Sequence, residues 1–339
     1  MFDTKILDNS DRSIELAAEL LKSGEVVGIP TETVYGLGAD ASNEDAVKKI
    51  FEAKGRPADN PLIVHISEFS QIEELVTEIP RLAINCAEKF WPGPLTMIMP
   101  KSDRVPMITS GGLDTVGIRM PSNETARKII SACGFPIAAP SANLSGSPSP
   151  TSAQHVYNDM QNRIPAIVDA GHCGIGVEST VICFEGRDSI RLLRPGFISV
   201  DDLKEITENV IIDKGVTEIV AADAKVASPG MKYKHYAPKA EITILEGTLD
   251  AYREYVKENS DNDTTLLVFD KNDADGLGLP YVVYGSTDEE QARNLFGSLR
   301  ELDRLNAVKV FARCPSKNGV GLAVYNRLIR AAAFRVIRL

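Results

Sequence analysis

No GxxxxGK[ST] run occurs anywhere in the 339 residues, so a nucleotide bound here is not cradled by a Walker-type loop. CxxC pairs are absent too. The five cysteines (Cys86, Cys133, Cys173, Cys183 and Cys314) are odd in number and widely spaced, which argues against zinc and disulfides and for free thiols in a reducing cytoplasm. No apolar run is long enough to span a membrane. The segment Met1-Phe2-Asp3-Thr4-Lys5 lacks the basic-then-apolar order of a secretion signal. Positive charge is short overall: the formal net charge of −10 speaks against bulk capture of nucleic acid, though it leaves a local basic groove open. Also missing are an acid pair spaced for hydrolysis, a Ser-His-Asp pattern and a metal-ligand cluster. Hydrolytic, covalent and resident-metal chemistries lose their usual signatures with them.

What remains is 43% hydrophobic and 25% charged, a globular composition long enough for two domains. Helical spacing of apolar residues predicts helices over 13–22, 42–53 and 81–90, and strands are expected at 25–30, 61–66, 95–99, 115–118, 137–139, 167–169, 179–184 and 190–193. The two types are mixed without regular βαβ rotation, so an open, mixed α/β sheet is expected rather than a Rossmann fold. The texture changes at 227–238, a stretch bounded by prolines that reads as a linker. Beyond it, strands (242–245, 265–269, 307–312) alternate with helices (249–258, 289–305, 321–333), the pattern of a small doubly wound α/β domain. The expected division is 1–208, a linker at 209–239, and 240–339.

Two segments concentrate polar chemistry. The first is 54–65, KGRPADNPLIVH, in which Lys54, Arg56, Asn60 and His65 are set around two prolines. Residues before proline are held extended, so Arg56 and Asn60 project in defined directions. Arginine offers a planar fork for phosphate and lysine a compact charge. One cation here fits the end of a helix dipole; two fit poorly, and both are expected to be partly exposed. His65, taken alone, reads as a structural histidine. The second segment, 138–150, is rich in Ser, Ala, Gly and Pro. It is either a flexible loop or a cradle of hydroxyls and backbone N–H groups for phosphate and adenine.

Smaller signals surround these. In 30–38, PTETVYGLG, two hydroxyls, a carboxylate and a phenol stand at a strand end, and a plain turn competes with a ligand role. The spacing Gly36-x-Gly38-x-x-Ala41 only imitates a dinucleotide fingerprint, because no acidic ribose partner follows a second strand. Trp91, the sole tryptophan, reads as core beside a rigid proline turn. Arg119 ends an apolar strand and needs a partner, either a structural carboxylate or an anionic ligand. Arg194 brings a fourth cation to Lys54, Arg56 and Arg119. Four cations among many hydroxyls suit a triphosphate site that works by positioning and charge stabilisation.

Taken in order, PTETVYGLG (30–38), KGRPADNPLIVH (54–65), WPGPLT (91–96), LDTVGIRMP (113–121), APSANLSG (139–146), GVESTV (176–181), LLRPG (192–196) and SPGMKYKHYAP (228–238) make the chain similar to the threonylcarbamoyl-AMP synthases, the YrdC-like family, in their longer two-domain form. The C-terminal part agrees more loosely, through 292–304 and 319–333. The resemblance implies a twisted mixed-sheet core with a large positively lined cavity and a smaller, Rossmann-like C-terminal α/β domain. It implies a cytoplasmic enzyme that joins L-threonine, bicarbonate and ATP into L-threonylcarbamoyl-adenylate with release of pyrophosphate. Mg2+ would be carried on the nucleotide, and the product would feed the tRNA threonylcarbamoyl transferase machinery. By position it assigns Thr33, His65, Arg119, the Ala139 main chain and Ser179 to threonine and the carbamate. It assigns Lys54, Arg56, Asn60, Thr115, Ser141, Ser149 and Arg194 to ATP, with Lys54 and Arg56 acting on the phosphates. Tyr236, in the linker, would cover the nucleotide. Two readings compete. One is a translation-associated protein with a weak RNA contact, which the net charge and the lack of aromatic-basic interleaving oppose. The other is a carbamoyl-adenylate-forming maturation factor, whose zinc-finger-like cysteine pairs are absent.

Overall fold

The computed structural model describes residues 2–216 and 236–339 and divides the chain into two compact units. In the first lie β1 (Lys5–Leu7), α1 (Asp11–Lys22), β2 (Val27–Ile29), β3 (Gly36–Asp40), α2 (Glu44–Lys54), β4 (Ile63–His65), α3 (Ile72–Leu75), α4 (Arg81–Phe90), β5 (Leu95–Pro100), β6 (Thr115–Arg119), α5 (Glu124–Cys133), β7 (Ile137–Ala138), α6 (Ala153–Met160), β8 (Ala166–Val168), β9 (Thr180–Glu185), β10 (Ser189–Arg194), α7 (Val200–Lys204) and β11 (Asn209–Ile212). The strands form one mixed sheet in the order β1-β8-β2-β3-β7-β4-β6-β5-β9-β10-β11. Residues 209–212, which sequence placed in the linker, instead pair in parallel with β10, as a run of β-branched residues can.

The two faces of this sheet are used differently. One carries a long core of Leu37, Ala39, Val64, Met97, Met99, Val116, Ile118, Ala138, Ile182 and Leu192. On the other, α1 and α5 cover only the first half, packing on Val27, Ile29, Ile137, Ala139, Ala166 and Val168. Past β7, that second face holds a small apolar cluster of Ile98, Val181 and Leu193. Alternation then decides which groups share it. Ile63 pairs with Gly117 and His65 with Arg119; Ile98 pairs with Gly117, Pro100 with Thr115, and Thr96 with Val181. Ile63, His65, Thr96, Thr115, Gly117 and Arg119 therefore all point to the side that, among the described residues, carries no helix core.

Gly36 and Gly38 lie inside β3 rather than in a turn. A Cβ on Gly38 would stand 2.9 Å from Ile137 Cγ2, so the glycine is dictated by close strand packing, which removes any dinucleotide reading.

The second unit holds β12 (Glu241–Glu246), α8 (Leu249–Asn259), β13 (Thr264–Val268), β14 (Tyr281–Val283), α9 (Asp288–Arg304), β15 (Lys309–Arg313), α10 (Gly321–Ala331) and β16 (Val336–Arg338). Its sheet, β14-β13-β15-β12-β16, is parallel throughout. Gly146–Pro148 and Ile175–Val177 cluster with this unit. No helix among the described residues is long and apolar enough to cross a membrane.

Candidate functional site

Helix α2 begins on the Asn43 side chain, which accepts from the N–H groups of Asp45 and Ala46, and it ends at Gly55 in the left-handed region (φ 62°). That stop leaves Lys54 as the last helical residue. Its ammonium donates to the Ser141 carbonyl and, at 2.6 Å, to the Asn143 carbonyl, while the Ser145 N–H donates to the Lys54 carbonyl at 3.0 Å. Lys54 is only 2% exposed. This corrects the expectation of a partly exposed cation: the residue clasps the loop after β7. Burial and the nearby Arg56 push its pKa well down. Two of its three donors go to the loop. Arg56, past the glycine, is half-buried, with long bonds of 3.4 and 3.3 Å to the carbonyls of Asn60 and Pro61. Asn60 is buried just before β4, and Thr115 opens β6.

At the far ends of β4 and β6 a second cluster forms. Arg119 Nη1 donates to Thr33 Oγ1 at 2.8 Å and Nε to the Gly93 carbonyl at 3.3 Å. Nη2 lies 2.6 Å from Glu32 Oε1, an ionic contact without hydrogen-bond alignment. The Trp91 turn is thus part of the arginine's mount: Trp91 is buried, its indole N–H donates to the Leu95 carbonyl at 2.7 Å, and the Gly93 N–H meets the Met120 carbonyl at 2.8 Å. His65 is 4% exposed, with Nδ1 3.2 Å from the Ile63 carbonyl. Burial, then Arg119, pushes its pKa down to about 3, so the imidazole is neutral at working pH.

Ser179, one residue before β9, links the next two strands. Its hydroxyl lies 2.8 Å from Thr96 Oγ1 and accepts from Arg194 Nη2 at 3.1 Å, while Arg194 Nε donates to the Ser179 carbonyl at 3.1 Å. Ser141 sits beside Gly36 across a β-bridge. The Ala139 N–H is committed to the Ile63 carbonyl at 2.9 Å, which leaves its carbonyl as the polar group it can offer.

Two more residues that the resemblance assigned to ATP have the following places. Ser149 was assigned as a donor to ATP, yet it is fully buried and its one proton goes to Glu178 Oε1 at 2.5 Å. Tyr236 belongs to the second unit, 6% exposed, with its ring 5.2 Å from that of Phe296. Tyr233 and His235 lie outside the described residues. Sequence reasoning noted Glu32 only as a carboxylate at a strand end and assigned no role to it, to Thr96 or to Glu178. Glu32 stood in view beside Thr33, but its partner is 87 positions away, beyond any local pattern.

Short strand ends carrying cations, hydroxyls and one neutral imidazole sit in an α/β fold of the Sua5, YciO and YrdC kind, whose family model, described as "Telomere recombination", matches residues 19–196. A second, described as "Threonylcarbamoyl-AMP synthase, C-terminal domain", matches 198–333. The threonylcarbamoyl-AMP synthase of Pyrococcus abyssi is 47% identical over 96% of this chain and 95% of its own length. That of Bacillus subtilis is 45% identical over 99% and 97%. The crystal structure of Pyrococcus abyssi Sua5 complexed with L-threonine superposes with a TM-score of 0.92 at 45% identity, covering 99% of each chain. The chain belongs to the threonylcarbamoyl-AMP synthase family.

Proposed function

We propose that this chain makes L-threonylcarbamoyl-adenylate and pyrophosphate from L-threonine, bicarbonate and ATP on the second face of its first sheet. The observation that carries the reading is the pairing of two polar clusters along two short strands: Thr33, His65, Arg119 and Ser179 at one end, Lys54, Arg56, Asn60, Thr115 and Ser141 at the other. In this reading the first cluster takes the amino acid, with Arg119 on its carboxylate, and the second takes the nucleotide. Threonine's ammonium and bicarbonate combine to a carbamate, releasing water and a proton. A carbamate oxygen then bonds to the α-phosphorus as the bond to pyrophosphate breaks. Charge grows on the leaving phosphates, where the cations of the second cluster, Lys54 and Arg56, would stabilise it with little reorganisation, while Arg194 is held against Ser179 at the other end. Mg2+ enters as part of the nucleotide substrate. His65, neutral, serves as a hydrogen-bonding wall rather than a charge.

The product is a mixed anhydride, which suits it to a transferase that modifies tRNA adenosine. A cytoplasmic setting accords with five free thiols. The test is incubation of the purified protein with threonine, bicarbonate and ATP, with the adenylate sought by mass spectrometry. Pyrophosphate release that requires both threonine and bicarbonate is expected. Release that ignores either one overturns the reading.

A further inference from the structure

Glu32 is a buried carboxylate that the fold leaves incomplete. Its side chain is 12% exposed; Arg119 Nη2 lies 2.6 Å from Oε1 and the N–H groups of Glu32 and Ser122 lie near the carboxylate, yet neither oxygen makes a hydrogen bond of good geometry. Burial pushes its pKa up, but Arg119 and the N–H groups of Glu32 and Ser122 more than offset that, so it is held below the usual glutamate value and stays ionised. An ionised carboxylate with unfilled acceptor positions is costly in the absence of a ligand. A residue kept only to brace Arg119 would complete its bonds, as Asp273 does elsewhere, pairing with Arg313 while it accepts from the N–H groups of Phe269 and Asp270.

The contact with Arg119 has a further consequence. The arginine assigned to the substrate's carboxylate already touches an anion at 2.6 Å. A ligand bearing a single negative charge would bring a second anion against Glu32. A zwitterion would not, because its ammonium can turn to Glu32 while its carboxylate meets Arg119. Four charges then alternate and sum to zero in a place where an unbalanced charge is expensive. The neighbours agree: the neutral His65, the thiol of Cys173, pushed up to about 12 by burial, and the Thr33 hydroxyl add no charge.

Resting on the reading that an amino acid binds at Arg119, we infer that Glu32 is a binding and specificity-determining residue, seating the α-ammonium of the substrate and selecting α-amino acids over acids without an amine.

The experiment compares two ligands by calorimetry on full-length protein: L-threonine, and 2,3-dihydroxybutanoate, in which a hydroxyl replaces the ammonium. The wild type should prefer threonine at least about tenfold, the scale of one charge-assisted bond. Glu32→Gln keeps the shape and removes the charge. It should weaken threonine about ten- to a hundredfold and change the hydroxy acid less than about threefold. Equal losses for both ligands make Glu32 a brace for Arg119 and overturn the inference, as does no loss for either. Should Glu32→Gln fail to fold, the wild-type preference still decides, and Glu32→Asp, which keeps the charge, should retain it; a hydroxy acid bound as tightly as threonine overturns the inference. A wild type that holds neither ligand refutes the amino-acid site itself and this inference with it, whereas threonine held equally by wild type and Glu32→Gln refutes the inference alone.

Discussion

Removing the Lys54 ammonium should loosen the fold as well as the chemistry, and the structure says by how much. The side chain makes two charge-assisted bonds to the carbonyls of Ser141 and Asn143. Such bonds contribute about 1.5–3 kcal/mol each. Against them stands the cost of burying the charge, visible in a pKa pushed well down by burial. Lys54→Met keeps the apolar stem and should cost roughly 1–3 kcal/mol, most of it from carbonyls left without donors. Lys54→Ala also loses the stem, adding about 2 kcal/mol at roughly 0.8 per methylene. For a unit of this size 1 kcal/mol shifts the melting point by about 2–4 °C. Melting temperatures should therefore fall in the order wild type, Lys54→Met, Lys54→Ala. Hydrogen exchange should quicken over residues 139–146, including the Ser145 N–H that caps the clasp. Arg56→Ala is the contrast in chemistry: ATP-dependent pyrophosphate release should fall about ten- to a hundredfold. A Lys54→Met protein as stable as wild type, with unchanged exchange over the loop, would refute the clasp.

Three other outcomes follow from the same geometry. His65 has a folded pKa of about 3, below its ordinary 6.5, so between those values the unfolded chain takes a proton that the native one refuses; stability should drop as pH falls below 6.5, by up to about 1.4 kcal/mol per pH unit, and His65→Gln should flatten that slope in urea titrations, identical slopes contradicting it. Gly38→Ala sets a methyl 2.9 Å from Ile137 Cγ2 and should cost about 1–3 kcal/mol in chemical unfolding, a neutral result removing the packing argument. A pocket that hydrogen-bonds the substrate hydroxyl should rank threonine above serine, which loses only a methyl contact of about 1 kcal/mol, with valine far behind; valine turning over as well as serine would refute a polar pocket.

Much of the first unit was legible because its helices carry one-sided apolar spacing and its strands read as apolar runs. The exceptions have physical causes. Strand β3 was masked by Gly36 and Gly38, which weaken a strand locally and are required by neighbours distant in sequence. Helix α5 had signals in plain view: Asn123 accepts from the Ala126 N–H, and Gly134 closes it at φ 75°. Helix α6 hides behind a Ser- and Pro-rich run, though Ser152 caps it. Among site residues, chemistry at single positions was readable and pairing was not. Sequence left Arg119 between a structural carboxylate and a ligand, and only the fold brings Glu32 to it. Burial was likewise invisible at Lys54, since nothing local tells a helix-end lysine that points outward from one that holds a loop. The linker from Ser228 lies largely outside the described residues, and a lid over the nucleotide rests on its sequence alone.

Strand β6 also works as a measuring rod. Thr115, Gly117 and Arg119 stand on one side of it, and four residues at about 3.3 Å each put roughly 13 Å between the first and the last. If one end meets the nucleotide and the other the amino acid's carboxylate, the length of the assembled product is set by backbone geometry and cannot drift without changing the strand itself. An inhibitor built to this gauge, with a nucleoside at one end, an α-carboxylate at the other and a non-hydrolysable link between, would be held at both stops. One shortened by a few bonds would reach only one of them.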